Sequence, residues 1–119
     1  YGKAAKQVLE NLQVWDSYKT GLIQGINIGQ TFQQTRSQAV SLGLVSNSQL
    51  VLNNLQGVTI PAYLHQPIEQ QLVILKRSQH IPQAQRFVKF LMSEQSQQFI
   101  ADSGYVKLSQ EKGEGNNIE

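Results

Sequence analysis

Two rhythms of apolar residues alternate along this chain, one at helical spacing and one of short unbroken runs. Ala5, Val8, Leu9 and Leu12 recur at helical spacing and predict an amphipathic first helix. The chain enters that pattern directly from Tyr1-Gly2, which reads as a cut at a helix start, a fragment or a processed product. Val14-Trp15-Asp16 breaks the pattern, and Trp15 is expected to pack over the end of the helix as bulk. Leu22-Ile23-Gln24 reads as a short strand, and 28–38 as a second helix anchored thinly by Ile28, Phe32 and Thr35. Residues 39–45 form an apolar run of the buried-strand kind. A polar turn at 46–49 then opens a short helix through Leu55, with Ser48 as the expected N-cap.

Beyond Gly57 the chain turns and extends, and 62–67 is irregular between two prolines. Leu72, Val73, Ile74 and Leu75 are the strongest strand candidate, since continuous apolarity marks a strand buried on both faces. Pro82 suits the first turn of a helix over 83–92, whose expected buried stripe is Phe87, Val88, Phe90 and Leu91. Ser93 caps a further helix over 94–103 that uses Phe99 and Ile100, and Gly104 fits the position just past its end. A terminal strand is expected at 105–108, followed by a polar, disordered tail over 109–119.

Composition narrows the function classes. A chain of 119 residues is one domain's worth, with 15% charged residues and a net charge of +2. Its basic residues are dispersed (Lys3 and Lys6, Lys76 and Arg77, Arg86 and Lys89), so no nucleic-acid partner is expected. Without cysteine there is no disulfide, thiol nucleophile or cysteine-based metal site. His65 and His80 stand apart among loop signals and read as surface histidines, without metal-ligand spacing. Glu69 and Glu94 lie in different elements and do not pair as acid and base. The chain is therefore not read as an enzyme. No apolar run approaches the roughly 18 residues of a membrane span, and no signal peptide is visible.

The remaining chemistry lies in 24–32, Gln-Gly-Ile-Asn-Ile-Gly-Gln-Thr-Phe. Asn27 is a strong N-cap, and Gln30 three residues later completes a capping-box-like pair. A helix start leaves several N–H groups unsatisfied and adds the positive end of the helix dipole. Gly29 lets a bound group approach the backbone, so the site suits a small anion without a charged side chain. The plainer alternative is that Asn27 only caps a surface helix. Ser46 to Ser48 form a second strand-to-helix junction, and in open α/β sheets such junctions gather where ligands bind.

The ordered set of Leu9-Glu-Asn-Leu, Trp15-Asp16, residues 24–31, Leu42-Gly-Leu-Val, Ser48-Gln49, Gln66-Pro-Ile-Glu-Gln, Phe87-Val-Lys-Phe-Leu and Ser103-Gly-Tyr105 carries a family resemblance. Over 1–108 the chain resembles the C-terminal half of periplasmic molybdate-binding proteins of ABC transporters, in the type II periplasmic binding protein family. The resemblance implies an α/β fold. Residues 1–67 would be one incomplete lobe lacking its first strand. Residues 68–108 would be a crossover strand and C-terminal helices belonging to the other lobe, and 109–119 the tail.

By the same resemblance, a tetrahedral oxyanion, molybdate or tungstate, is held by neutral donors from both lobes. Tyr1 and Ile28 would each give a backbone N–H, with Asn27 as the cap beside Ile28. Where some members offer a tyrosine hydroxyl, Ser46 stands here and would reach the ligand through water. No metal is ligated directly and no cofactor is implied. The partner would be the transporter's membrane permease, and the compartment the periplasm. Selectivity over sulfate would rest on cavity size. Uncovered apolar faces would make the isolated chain self-associate or exchange strands. An alternative with the same fold is the effector-sensing domain of a LysR-like transcription regulator.

Overall fold

The computed structural model describes residues 1–107; the expected tail and the last residue of the expected terminal strand lie outside them. The chain divides into two compact units, Tyr1–Val73 and Ile74–Glu119.

The first unit begins with α1 (Gly2–Asn11) and the single turn α2 (Trp15–Tyr18). Helix α1 buries Ala4 and Val8, one turn apart on the predicted face. Trp15 is half-buried, and the Lys6 ammonium of α1 lies 5.1 Å from its ring centroid, a cation–π contact across the α1–α2 corner. Helices α3 (Ile28–Arg36) and α4 (Asn47–Leu52) follow, and Phe32 is the buried anchor of α3. A 3-10 turn, Ala62–Leu64, buries Leu64 and packs against α1. Asn11 Nδ2 donates to the Leu64 carbonyl at 2.9 Å, and Gln7 Oε1 accepts from the Gln66 N–H at 3.0 Å. The second unit contains α5 (Ile81–Leu91) and α6 (Glu94–Asp102), joined through Ser93. Ser93 Oγ accepts from the Ser96 N–H at 3.3 Å, and Gln97 Nε2 donates to the Leu91 carbonyl at 2.8 Å.

The helix ends follow local rules. Gly104 (φ 90°) closes α6 as expected, with Gly104 N–H on Ala101 O and Tyr105 N–H on Ile100 O. The same paired bonds end α1, α3 and α4 at Gln13, Gln38 and Asn54, all non-glycine residues at positive φ. Pro82 sits in the first turn of α5, as its missing N–H favours.

The sheet half of the α/β expectation is not formed. Among the described residues no strand is present, and 22–24, 39–45, 72–75 and 105–107 run outside any ladder. A strand is held by hydrogen bonds to a neighbour, and no two of these runs pair. Their side chains are correspondingly open, Leu42 at 85% and Val73 at 80% exposure. The stripe expected to be buried on α5 is also uncovered: Phe87 is 59% and Phe90 60% exposed, and α5 buries no residue. The periodicity made the helix correctly, but a face is buried only if something covers it.

Candidate functional site

The start of α3 is built by its own sequence. Asn27 takes an extended backbone, and its Oδ1 accepts from the Gln30 N–H at 2.8 Å. Gln30 Oε1 reaches back to the Ile26 N–H at 2.7 Å, one residue earlier than a standard capping box. Glycine is needed at position 25: a Cβ there would stand 2.9 Å from Thr31 N and 3.0 Å from Asn27 O. At Gly29 a Cβ would press on Asn27 Oδ1 at 3.2 Å, so this glycine makes room for the cap as well as for an incoming group. The N–H groups of Ile28 and Gly29, the first two of the helix, have no partner among the described residues.

The second junction differs from expectation by one turn of logic. Ser46, not Ser48, is the N-cap of α4, and the pair Ser46–Gln49 forms its capping box. The cap needs the β-region backbone that Ser46 has, whereas Ser48 already lies inside the helix. Both hydroxyls are buried, at 7% and 4% exposure, and their oxygens are 3.1 Å apart.

The tertiary structure joins the two junctions through Gln49. Its Oε1 accepts from the Ser46 N–H at 3.3 Å, and its Nε2 donates to the Ile28 carbonyl at 3.2 Å. At the other ends Arg36 Nη1 donates to Asn53 Oδ1 at 3.3 Å. Start meets start and end meets end, so α3 and α4 run in the same direction with their positive dipole ends together. The segment before α4 lies close against α3: a Cβ on Gly43 would collide with Thr35. Asn27, Ile28 and Ser46 are thus brought into one neighbourhood. Tyr1 caps a different helix, α1, whose neighbours are α2 and the 3-10 turn. Gln49 was missed as a site residue. Its spacing from Ser46 was readable as a capping box, but its bond to Ile28 spans 21 residues of sequence.

The histidines occupy other places. His65 is half-buried rather than on the surface and lines a polar cleft of about 290 Å³ with Gln7, Glu10, Asn11, Tyr63 and Gln66. Its Nδ1 lies 2.7 Å from the Gln66 carbonyl, which can only accept, so Nδ1 carries the proton. His80 is exposed and precedes α5 as its cap residue. Among the described residues no three His, Asp or Glu side chains are grouped to hold a metal, and no helix is long and apolar enough to cross a membrane.

Comparison with known proteins gives a consistent set. The family model for bacterial extracellular solute-binding proteins matches residues 1–106. The chain is similar to the molybdate-binding protein ModA of Azotobacter vinelandii, 34% identical over 109 residues, covering 88% of this chain and 43% of the relative. Against the molybdate-binding protein ModA of Rhodobacter capsulatus, identity is 28% over 107 residues, with 89% and 42% covered. A putative ABC transporter substrate-binding lipoprotein, YvgL of Bacillus subtilis, is 24% identical over 107 residues, with 88% and 41% covered. The chain therefore spans about two fifths of the length of these curated relatives. No solved structure matches it.

Proposed function

This chain belongs to the bacterial extracellular solute-binding protein family, and from that membership we propose that it is a portion of a periplasmic ABC-transporter receptor for molybdate and tungstate. Such a protein binds and delivers its solute to a membrane permease and catalyses no reaction. The observation that carries the reading is the α3 start, where the Ile28 and Gly29 N–H groups stand unpaired at the shared positive end of two parallel helices. An oxyanion there gains charge-assisted hydrogen bonds and the dipole field, and needs no buried counter-charge. Ser46 adds a hydroxyl from the second junction, and Tyr1 a further N–H once the receptor closes.

Magnitudes limit what this cluster does alone. Two charge-assisted bonds at about 1.5–3 kcal/mol each, with up to about 1 kcal/mol from the dipole, amount to roughly millimolar binding. Tight capture then requires donors from a second lobe. In this reading 1–67 is one lobe, 68–108 crosses to the other, and the open faces of 72–75, α5 and α6 are covered there. The isolated chain, lacking that cover, self-associates. The family match does not favour the regulator alternative, whose fold is shared but whose partner is DNA.

The test is thermal unfolding with molybdate, tungstate, sulfate and phosphate, on this chain and on a protein of the relatives' length that carries it. Binding to the folded state stabilises by RT ln(1 + [L]/Kd). Selective upward shifts with molybdate and tungstate in the longer protein are expected, with little effect on the chain alone. If none of the four anions shifts either protein, the reading is wrong.

A further inference from the structure

Gln49 is the one side chain that touches both helix starts, and its chemistry fits the position closely. The Ile28 carbonyl can only accept and the Ser46 N–H can only donate, so the side-chain amide has a single satisfactory orientation. Glutamate lacks the donor, lysine and arginine lack the acceptor, and asparagine is one methylene short. The backbone at Gln49 is itself held: its N–H donates to Ser46 O at 3.1 Å, and its carbonyl accepts from Asn53 Nδ2 at 2.8 Å. The side chain therefore projects from a fixed base.

Two consequences follow for the peptide planes it holds. The Ile28 carbonyl and the Gly29 N–H belong to one planar, trans peptide and point in opposite directions. Holding the carbonyl fixes the direction of the Gly29 N–H, one of the two unpaired donors at the α3 start. Holding the Ser46 N–H removes it from the donors at the second junction, and leaves the buried Ser46 and Ser48 hydroxyls as the polar groups there. We propose that Gln49 is the positioning residue of this anion site: it fixes the Ile28–Gly29 peptide against the start of α4, and so sets the spacing between the N–H donors of one helix and the hydroxyl of the other. The proposal rests on the oxyanion reading of the α3 start, but the clamp itself does not require a ligand.

The experiment separates these two parts. On this chain without ligand, amide chemical shifts are measured for Gln49→Ala and Gln49→Glu. Both variants lose the donor to Ile28, so the Gly29 amide should move in both. Glutamate keeps an acceptor, so the Ser46 amide should move in Gln49→Ala and stay nearly in place in Gln49→Glu. An unmoved Gly29 amide in both variants overturns the clamp, whatever binds. On the longer protein, molybdate and sulfate affinities are then compared. Each variant should bind molybdate about tenfold or more weakly with a changed molybdate-to-sulfate ratio, while Gln49→Glu keeps its unfolding temperature, because an acid at a helix start is favourable. Weakening in Gln49→Glu alone would mean simple charge repulsion and would overturn the positioning role. Unchanged affinity and ratio in both variants would overturn it too. Absence of any anion binding in the unsubstituted protein would instead sink the functional reading, with the ligand-free shifts still deciding the clamp.

Discussion

Helices α3 and α4 in the first unit, and α5 and α6 in the second, are both pairs of short helices with readable caps, yet they are held in different ways. The α3–α4 pair is tied by polar bonds at both ends and by glycine contacts that leave no room for a methyl group. The α5–α6 pair is tied at its corner by Ser93 and Gln97, while Phe87, Phe90 and Phe99 stay open along its length. In the first pair, position is specified by directional bonds that accept one geometry. In the second, the aromatic faces carry surface that is non-directional and takes whatever apolar partner arrives. A binding site needs the first kind of control, since donors must be aimed, and a docking face needs only the second.

The sharpest way to break this contrast is Gly43→Ala. The added methyl group meets Thr35, a short β-branched side chain whose Cβ would be 3.0 Å away and cannot swing aside. Overpacking of this kind costs about 1–3 kcal/mol, and the upper end is expected. Denaturant unfolding should show it, and Thr35→Ala in the same chain should recover part of the loss. A Gly43→Ala protein as stable as the parent would mean that the segment is not packed on α3. Asn27→Ala is next, at about 1 kcal/mol, because it removes the bond to the Gln30 N–H. Hydrogen exchange at Gln30 should speed up more than at Arg36, and an equal change throughout α3 would argue against a local cap. The smallest effect belongs to the second pair: Phe87→Ser with Phe90→Ser should change unfolding free energy by no more than about 0.5 kcal/mol per site, as surface substitutions do. Light scattering should show less self-association. A large loss of stability there would place both rings in a core instead.

Much of the helical framework was legible in order. The first helix, the start of α3 at Asn27, the proline in the first turn of α5, the Ser93 cap and Gly104 were all readable because each rule acts within about four residues of backbone. The candidate site was legible to the same depth: Asn27 and Ile28 lie where their cap placed them, and Ser46 stands at the second junction. The cap of α4 was displaced from Ser48 to Ser46 because either serine could supply an oxygen, and only the backbone at Ser46 turned the right way.

What the sequence by itself determined about this protein is therefore local: where helices begin and end, and which residues carry anion-binding potential at a helix start. Tertiary structure alone decided that α3 and α4 run parallel, that Gln49 reaches Ile28 across 21 residues, that the apolar runs stay unpaired, and that the α5 stripe remains open. The physical reason is range. A cap is satisfied by its own first turn, whereas a strand, a buried stripe and a bridging amide each depend on a group brought from elsewhere in the chain or from another surface.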